Sequence, residues 1–533
     1  MPEAAAAAPS RPPVDALVVG GGINGAGVAR DLAGRGLSVV LVEQDDLASH
    51  TSSASTKLIH GGLRYLEYYE FSLVRKALAE REVLLRAAPH IMWPLRFVMP
   101  HDPSMRPVWM IRAGLFLYDH LARRELLPAS RTVRLASHPA GAPLKPQYGK
   151  GFVYSDGWVD DARLVVLNAM DAARRGARIH TRTRCTQARA EGGLWHVRLE
   201  DRAGGGTQEL AARSLVNAAG PWAAQFLRGA VGRPDTKALR LVKGSHIVVP
   251  SLFAHEYAYL FQNADGRIVF AIPYEGRFTL IGTTDVEWPG EAAAVQIDDT
   301  EVAYLCEQAS RYFARPVRPA DVVWSYAGVR PLIDDESGNP AAVTRDYRLE
   351  LTHAAGVPLL SVWGGKITTF RRLAEEAGDD LARALGHAGR AWTAGAPLPG
   401  GDLSAWVAPS GRPDTDMARF RDALARRAPQ AGPALVARWA RSYGTLVDLF
   451  LPGDGGSLGA EVAPGLHEAE LHYLHAHEWA RSADDVLWRR SKLGLHLSPA
   501  ERAAVHAWWS SHTGAPASQR PAAGAAAHDP GRA

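Results

Sequence analysis

An apolar run at residues 16–19 is followed at once by a glycine-rich segment, GGGINGAG. The run predicts a buried strand, and residues 28–32 continue the pattern as a helix. Between them, Gly20, Gly22 and Gly25 have the spacing G-x-G-x-x-G. Glycine permits a tight strand-to-helix turn and lets the backbone approach a bound group closely. This order of elements predicts a turn where the start of a helix faces a ligand.

A second apolar strand, at residues 38–42, ends at Glu43. A carboxylate at this point accepts hydrogen bonds from ribose hydroxyls, and the free N–H groups of the new helix favour phosphate charge. Strand, glycine turn, helix, second strand and carboxylate together predict a dinucleotide-binding domain. The alternative is a glycine-rich turn in some other α/β protein.

Two later segments repeat the pattern of an apolar strand that ends in small residues. One ends in Ala219 and Gly220, and the other, at residues 359–363, is followed by Gly364 and Gly365. Each would again bring backbone against the cofactor. The sequence has no second G-x-G-x-x-G for a nicotinamide nucleotide, and the interrupted site favours a flavin.

The middle of the chain, residues 239–352, alternates apolar and polar positions between many turns, which predicts an antiparallel sheet. Helical patterns occur at residues 71–87 and 107–124. Further helices follow a Gly/Pro-rich linker at residues 391–401. The 107–124 helix has a broad apolar surface, for which a core helix is the preferred interpretation and an interfacial helix the alternative.

Composition excludes several classes of protein. The 60 basic and 56 acidic residues give a net charge of +4, which does not suggest nucleic-acid binding. Cys185 and Cys306 are the only cysteines, so a disulfide framework and a cysteine zinc site are excluded and a reducing compartment is favoured. No apolar run reaches the length of about 18 residues needed to span a bilayer. Any membrane contact is therefore expected to be peripheral.

Longer motifs make the interpretation specific. In chain order they are GGGINGAGVARDLAGRG, TSSASTKLIHGGLRYLEYYEF, YSDGWVDDARL, KGSHIVVP, IGTTD, GVRPL, TRDY and GGKITTFR. Over about residues 14–512 the chain resembles the FAD-dependent, membrane-associated sn-glycerol-3-phosphate dehydrogenases of the D-amino-acid-oxidase superfamily. The resemblance implies an α/β fold. It comprises a Rossmann-like FAD-binding domain of the glutathione-reductase/D-amino-acid-oxidase type, an antiparallel-sheet substrate domain and a C-terminal α-helical domain.

The resemblance also implies domain boundaries. The FAD-binding domain is expected to be discontinuous, from residues 14–80, 151–235 and 353–386. The substrate domain is expected at residues 81–150 and 236–352, and the helical domain at 387–512. Residues 1–13 and 513–533 are rich in Ala, Pro and Gly and are expected to be disordered.

The reaction implied by the resemblance is the oxidation of sn-glycerol 3-phosphate to dihydroxyacetone phosphate. Hydride would pass from C2 of the substrate to N5 of a non-covalently bound FAD, and the electrons would then pass to a membrane quinone. The expected location is cytoplasmic, peripherally on the inner face of the cell membrane. A homodimer is a further expectation, and no nucleic-acid partner is expected.

Two residues are expected to be catalytic. His246 is the proposed general base, because a histidine pKa suits proton abstraction near neutral pH. Arg330 matches a position of the resembled family near C2 and the flavin, where it would stabilise the developing alkoxide or the reduced flavin. The sequence leaves open which of the two is the main proton acceptor.

Substrate binding needs cations for the phosphate. Arg64 and Arg345 match phosphate-binding positions of the resembled family, and a guanidinium can bind two oxygens at once. Tyr65 would add a hydroxyl, and Lys366 would lie near the flavin and the substrate. For any single arginine, a structural ion pair is the plainer interpretation.

The expected FAD contacts are the glycine turns and the hydroxyl-rich segment after Glu43. They are Gly20, Gly22, Asn24, Gly25, Glu43, Ser52, Ser53, Ser55, Lys57, His60, Gly61, Gly62, Ala219, Gly220, Gly365, Lys366, Ile367 and Thr368. No metal is expected, because the histidines near residue 472 lack the other ligands of a metalloenzyme site.

Three other functions compete with this one. A glycerol-3-phosphate oxidase would share every substrate residue but pass its electrons to oxygen. An amino-acid oxidase on the same fold would need one arginine for a carboxylate rather than several cations. A non-catalytic FAD-binding protein would not need the full set of substrate-site residues, which is Arg64, His246, Arg330, Arg345 and Lys366.

Overall fold

The computed structural model describes residues 12–102, 106–263, 265–333, 346–452 and 457–513. The chain divides into two compact units. Unit 1 takes its described residues from the ranges 1–49, 165–240 and 331–396, and unit 2 from 50–164, 241–330 and 397–533. The predicted disordered ends lie largely outside the described residues.

The described part of the chain forms 21 strands. They are β1 (Ala16–Val19), β2 (Val39–Val42), β3 (Leu58–Ile59), β4 (Met92–His101), β5 (Arg131–Arg134), β6 (Lys150–Val159), β7 (Arg178–His180), β8 (Thr183–Glu191), β9 (Leu194–Asp201), β10 (Thr207–Ala212), β11 (Leu215–Asn217), β12 (Leu239–Pro250), β13 (Ala258–Gln262), β14 (Ile268–Tyr274), β15 (Phe278–Gly282), β16 (Val286–Glu287), β17 (Trp324–Ile333), β18 (Arg348–Ala354), β19 (Val357–Trp363), β20 (Glu461–Ala463) and β21 (Leu466–His467).

Eleven α-helices lie among the same residues. They are α1 (Ile23–Gly34), α2 (Phe71–Ala87), α3 (Val108–His120), α4 (Asp161–Arg174), α5 (Ala223–Gly229), α6 (Asp299–Tyr312), α7 (Phe370–Leu385), α8 (Pro413–Arg427), α9 (Gly432–Tyr443), α10 (Glu468–His477) and α11 (Pro499–Thr513). Short 3₁₀-helices and one π-helix (Asp485–Arg490) complete the helical structure. The 3₁₀-helices are Thr51–Ser53, Leu63–Tyr68, Leu135–Ser137, Pro139–Gly141, Gly220–Trp222, Ala292–Ala294, Pro319–Asp321, Thr393–Gly395, Pro429–Ala431, Gly444–Leu449 and Leu493–Leu495.

Unit 1 is built on a six-stranded sheet with the order β18-β19-β11-β1-β2-β7. Every pair is parallel except β18–β19. All four residues of β1 are buried, as expected for a central strand of a parallel sheet. A separate antiparallel sheet in the same unit has the strand order β10-β9-β8. The sequence therefore predicted the Rossmann-like core correctly.

The edge strand β18 departs from the sequence prediction. Residues 347–351 were expected in the antiparallel substrate sheet, but β18 pairs with β19 in unit 1 over its whole length. The two strands are joined by Ala355 and Gly356, whose φ angles of 46° and 80° are those of a tight primed turn. A two-residue hairpin forces neighbouring strands to pair, so β18 follows β19 rather than the strands before it.

Unit 2 contains a ten-stranded sheet. Its main order is β16-β12-β15-β14-β13-β4-β6-β3, with β17 beside β12 and β5 beside β6. The pairs β12–β15, β14–β15 and β13–β14 are antiparallel, and β4–β13 is parallel. Strands β12, β14, β15 and β17 come from the region for which the sequence predicted an antiparallel sheet, and all four belong to this sheet.

The C-terminal helices belong to unit 2 together with this sheet. Arg163, at the start of α4, forms a fully buried ion pair with Glu478, and the two side chains are 0% exposed. Trp324 of β17 stacks on Trp488 with ring centroids 5.1 Å apart. Buried charge pairing and aromatic packing therefore tie these helices into unit 2. The structure groups the chain into two units, whereas three domains were expected from the sequence.

Helix α3 is not the core helix that was preferred from its apolar pattern. Only Leu115 and Tyr118 of its thirteen residues are buried. Trp109 is 67% exposed and Phe116 is 58% exposed. The core-helix prediction is therefore wrong, because α3 is apolar on its outward side as well as its inward side. No described helix is both long enough and apolar enough to span a bilayer.

His90 is a buried histidine between α2 and β4. Its side chain is fully buried, and neither ring nitrogen has a hydrogen-bond partner among the described residues. Burial, reinforced by the charges of Arg163 and Arg441, lowers the pKa of His90 to about 3. His90 is therefore neutral in the folded protein over the whole physiological range.

This pKa predicts a loss of stability at acid pH. Above pH 6.5 neither state binds the proton, whereas between about pH 6.5 and pH 3 only the unfolded state does. The free energy of unfolding should then fall by about 1.4 kcal/mol per pH unit as the pH falls. His90→Phe should remove this component, measured by urea unfolding at several pH values. Any packing penalty of the substitution is the same at every pH, so it does not change the slope of the free energy of unfolding against pH. Parallel slopes for the two proteins would contradict the prediction.

Candidate active site

Three strands of unit 1 end side by side. β19, β11 and β1 are parallel neighbours, so the glycine segments that follow them lie at one edge of the sheet. The Ala218 N–H donates to the Val19 carbonyl (2.9 Å), and Asn24 Nδ2 donates to the Gly364 carbonyl (3.1 Å). The glycine turn, the Ala-Gly segment and the later Gly-Gly segment therefore meet in space, as the sequence predicted.

Gly20 and Gly25 stand where a side chain would overlap the neighbouring backbone. Gly20 has a φ of +115°, which favours glycine, and a Cβ there would overlap the Ala218 carbonyl. A Cβ at Gly25 would overlap the carbonyl oxygen of Gly20. The turn therefore requires glycine at both positions, and it leaves the backbone open to close approach.

Glu43 is held in place at the end of β2 by two backbone donors. The Gly21 N–H donates to Oε2 (2.6 Å) and the Asp45 N–H donates to Oε1 (2.8 Å). Within α1 as described, no side chain caps the first turn and no acidic residue lies in it. Uncapped helix N–H groups favour phosphate, and a fixed carboxylate suits ribose hydroxyls. These residues therefore fit the adenosine diphosphate part of a dinucleotide.

A buried ion pair organises the loop before β3 in unit 2. Lys57 Nζ lies 2.8 Å from Asp161 Oδ1, with the two side chains 1% and 0% exposed. Ser55 donates to the same carboxylate from its N–H (3.1 Å) and its hydroxyl (2.7 Å). Burial lowers the pKa of the Lys57 ammonium, and the charge of Asp161 opposes that shift. The side chains of Lys57 and Ser55 thus form hydrogen bonds to Asp161. Their expected contacts with the cofactor remain predictions.

His246 on β12 lies against this loop. Its Nε2 is 3.0 Å from Thr56 Oγ1, and its buried Nδ1 has no hydrogen-bond partner among the described residues. The ring stacks on Tyr326, with centroids 4.7 Å apart. Burial, with the charges of Lys57 and Arg330, holds the pKa of His246 well below its usual value. The imidazole is therefore neutral at pH 7 and can accept a proton.

Two arginines of unit 2 differ in their partners. Arg330 Nη1 lies 2.8 Å from Asp285 Oδ1, and Nη2 donates to the Thr284 carbonyl (3.0 Å). Arg64 is half-buried on the 3₁₀-helix Leu63–Tyr68 and has no carboxylate partner within the described ranges. A half-buried guanidinium without a carboxylate is well suited to bind an anion.

The remaining predicted residues are distributed over both units. In unit 2 are Tyr65, Ser52, Ser53, His60, Gly61 and Gly62. In unit 1, after β11 and β19, are Ala219, Gly220, Gly365, Lys366, Ile367 and Thr368. Arg345 lies outside the described residues. Among the described residues, no group of three or more His, Cys, Asp or Glu side chains could hold a metal ion.

Sequence reasoning missed three residues around His246. Thr56 and Asp161 lie in the motifs that carry the resemblance, but neither received a role. Tyr326 stacks on His246, its hydroxyl donates to the Ser55 carbonyl (2.9 Å), and its ring centroid lies 5.0 Å from Lys57 Nζ. An acidic pair between apolar residues, such as Asp160 and Asp161 at the start of α4, is a signal for a buried charge partner.

The comparisons with known proteins agree with this geometry. The sequence profile of the FAD dependent oxidoreductase family (DAO) matches residues 15–371. A glycerol-3-phosphate dehydrogenase of Pseudomonas aeruginosa is 56% identical over 92% of this chain and 93% of that protein. A D-erythritol 1-phosphate dehydrogenase of Brucella abortus is 51% identical over 93% of this chain and 97% of that protein.

The chain belongs to the FAD-dependent glycerol-3-phosphate dehydrogenase family. A solved structure supports the same assignment: the glycerol-3-phosphate dehydrogenase of Bacillus halodurans, complexed with FAD, superposes with a TM-score of 0.76. It is 28% identical and the match covers 95% of this chain and 92% of that chain. The predicted fold class and cofactor are confirmed, and the cofactor of this dehydrogenase family is FAD.

A side chain in the glycine turn should cause a selective loss of FAD. Gly25→Ala should place a methyl group against the Gly20 carbonyl, distort the turn and lower the flavin-to-protein ratio at least about tenfold. Gly229→Ala is the matched control, because a Cβ there meets nothing within 4 Å. The ratio is measured from the flavin absorbance of purified protein. A fully loaded Gly25→Ala protein would contradict this account of the turn.

Proposed function

We propose that this protein oxidises sn-glycerol 3-phosphate to dihydroxyacetone phosphate. The observation that carries the proposal is His246, a buried and neutral imidazole whose Nδ1 has no partner among the described residues. The name of the Pseudomonas aeruginosa relative supports the substrate. When bound, FAD supplies the oxidant by accepting the hydride from C2 of the substrate.

In this proposal His246 takes the proton of the C2 hydroxyl. Thr56 Oγ1 would accept a hydrogen bond from Nε2–H, and in that tautomer the basic lone pair is on Nδ1. The depressed pKa keeps the ring unprotonated, so that the lone pair is available. Arg330 offers N–H donors and no hydrogen-bond acceptor, as every guanidinium does. This assigns the proton to His246 and electrostatic stabilisation of the alkoxide to Arg330.

Arg64 is the proposed phosphate ligand of unit 2, with Tyr65 beside it on the same 3₁₀-helix. Its lack of a carboxylate partner within the described ranges supports this role. Arg345 and Lys366 stay predicted contributors to substrate binding. Because the phosphate is the same in other polyol phosphates, D-erythritol 1-phosphate is the competing substrate, supported by the Brucella abortus relative.

The proposed electron acceptor is a membrane quinone, reached from the cytoplasmic face of the cell membrane. The rival is oxygen, which would make the protein an oxidase with the same substrate residues. The quinone acceptor, the non-covalent attachment of FAD and the homodimer all remain predictions.

The deciding experiment is anaerobic mixing of FAD-loaded protein with one substrate at a time, following the flavin absorbance near about 450 nm. Fast bleaching by glycerol 3-phosphate, and slower bleaching by D-erythritol 1-phosphate, is the expected result. Bleaching by an amino acid or by glycerol alone would overturn the phosphate site. Admitting oxygen or a soluble quinone to the bleached protein then distinguishes the oxidase from the dehydrogenase.

If His246 is the general base, its replacement should slow the oxidation of the substrate without weakening FAD binding. His246→Asn should slow anaerobic flavin bleaching by about 10²–10⁴-fold, the usual contribution of a general base. The flavin-to-protein ratio should not change. His353→Asn, an exposed histidine on β18, is the control and should bleach at the parent rate. A rate within about twofold of the parent for His246→Asn would remove it as the base.

If Arg64 binds the substrate phosphate, its replacement should lower the affinity for the substrate. Arg64→Ala removes a charge-assisted contact to phosphate and should raise the half-saturating glycerol 3-phosphate concentration for bleaching about 10- to 100-fold. Arg131→Ala, an exposed arginine on β5, should leave it unchanged. If Arg64→Ala saturates at the parent concentration, the phosphate lies elsewhere.

A further inference from the structure

The ten-stranded sheet of unit 2 carries a group of basic residues on the face opposite His246. Along β4, Phe97 belongs to one buried core cluster and Val98 to another. Successive side chains of a strand point to opposite faces, so Arg96 lies on the face of Val98. Along β12, His246 lies on the face of Val248, which shares its core cluster with Phe97. The sheet therefore separates Arg96 from the candidate active site.

Arg96 has hydrogen-bond donors that nothing in the described chain accepts. Its Nε and Nη2 atoms are buried, and neither has a hydrogen-bond partner among the described residues. These two nitrogens form one edge of the guanidinium plane, and such an edge can bind two oxygens of a carboxylate or a phosphate at once. Leaving buried donors unpaired is costly, so each one in a folded protein calls for an explanation.

His138 adds a third donor of the same kind. Its Nδ1 accepts a hydrogen bond from the Ala140 N–H (3.2 Å), so the proton of the neutral ring lies on Nε2. Nε2 is buried and has no partner in the described part of the chain. The segment around His138 is fixed on β13, because the Tyr259 hydroxyl donates to the Ala140 carbonyl (2.7 Å). The imidazole is thus held in place by contacts that leave Nε2 unused.

Strand pairing brings His138 and Arg96 to the same part of the sheet. The His138 ring packs edge-on against Tyr257, with centroids 4.8 Å apart. Tyr257 directly precedes β13, whose first residue, Ala258, pairs with Phe97 of β4. Phe97 is the chain neighbour of Arg96, so Tyr257 links the two donor residues.

Arg131 of β5 completes the group. It pairs with Val153 of β6, which pairs in turn with Val98 of β4, so Arg131 lies on the same face as Arg96. Burial lowers the pKa of Arg96, and the charge of Arg131 adds to that shift. Burial and the charges of both arginines also lower the pKa of His138. Neither arginine has a carboxylate partner within the described ranges. These three residues are called here the donor cluster.

Ordered water is the plainer partner for unpaired donors, but it suits the donor cluster poorly. A water molecule must donate its own hydrogens as well as accept, and guanidinium groups and the Nε2–H of an imidazole offer no acceptor. Water also leaves the repulsion between the two arginines in place. An oxyanion can accept from all three buried donors and neutralise the charges.

We propose that the donor cluster is a second anion site, which binds inorganic phosphate or a phosphate monoester. Two phosphate oxygens would accept from Nε and Nη2 of Arg96, a third would accept from Nε2 of His138, and Arg131 would add its charge from the exposed side. The carboxylate of a second chain has only two oxygens and suits the three donors less well. The proposal is independent of the proposed function, because the donor cluster is not part of the proposed substrate site and lies on the other face of the sheet.

The test measures the unfolding temperature of FAD-loaded, full-length protein, followed by the fluorescence of released flavin. Inorganic phosphate is varied at fixed pH, with NaCl keeping the ionic strength constant. Phosphate also stabilises proteins in general by exclusion from their surface, so each variant is compared with the parent. Arg96→Met keeps an apolar stem and removes the donors, and it should raise the half-saturating phosphate concentration at least about tenfold.

Two further variants of β5 make the comparison specific. Arg131→Gln changes an exposed residue, so folding is not at issue, and it should raise the half-saturating concentration about threefold. Arg134→Gln is the matched control: it removes an exposed arginine of the same strand that points to the other face, and it should titrate like the parent.

Two more arms separate the sites and the sources of phosphate. The response that depends on Arg96 should persist in an Arg64→Ala background, because Arg64 belongs to the proposed substrate site. Glycerol 2-phosphate replaces inorganic phosphate in a parallel titration. A lower half-saturating concentration for this ester supports a phosphate monoester as the ligand, and an equal one supports free phosphate.

Three results would overturn the proposal. One is the same half-saturating phosphate concentration for the parent, Arg96→Met and Arg131→Gln; if Arg96→Met does not fold, Arg131→Gln decides alone. Another is a phosphate response that Arg64→Ala abolishes and Arg96→Met retains, which would assign it to the candidate active site. The last is a parent dimer that Arg96→Met and Arg131→Gln cannot form, because a carboxylate of a second chain would then occupy the donor cluster.

Discussion

The buried pair of Lys57 and Asp161 is the interaction on which the candidate site of unit 2 depends. Removing two charges from water costs several kcal/mol each, and this cost is offset only when the pair is close and its other hydrogen bonds are satisfied. Here the carboxylate also accepts two bonds from Ser55. The loop that contains Thr56 is therefore held between two fixed neighbours, and Thr56 can in turn orient His246.

The same charge pair helps to set the chemistry of His246. An ammonium close to a buried imidazole disfavours a second positive charge, so the histidine stays neutral. Tyr326 packs against both groups and fills the space between them with a ring rather than with water. Packing and charge thus keep the imidazole of His246 neutral, which is the state that the proposed general base requires.

Unit 1 depends on a different constraint, the approach of one backbone to another. The ends of β1 and β11 come close only because Gly20 stands where a side chain would overlap the Ala218 carbonyl. The three segments are distant in the sequence, but parallel pairing places their carboxyl ends at one edge of the sheet. This arrangement explains how glycine segments so far apart in this sequence come to lie at one edge of the sheet.

The sequence by itself determined the local elements and the identity of the cofactor. Helix α2 spans Phe71–Ala87 as its pattern predicted, and the glycine spacing before α1 indicated a dinucleotide. Such features follow from periodicity and backbone sterics, which act over a few residues. Tertiary structure alone decided that β18 joins unit 1, that α3 is exposed, and that Thr56 and Asp161 matter. The reason is physical: Lys57 and Asp161 are 104 positions apart and Thr56 and His246 are 190 apart, so only the folded chain brings each pair within hydrogen-bonding distance.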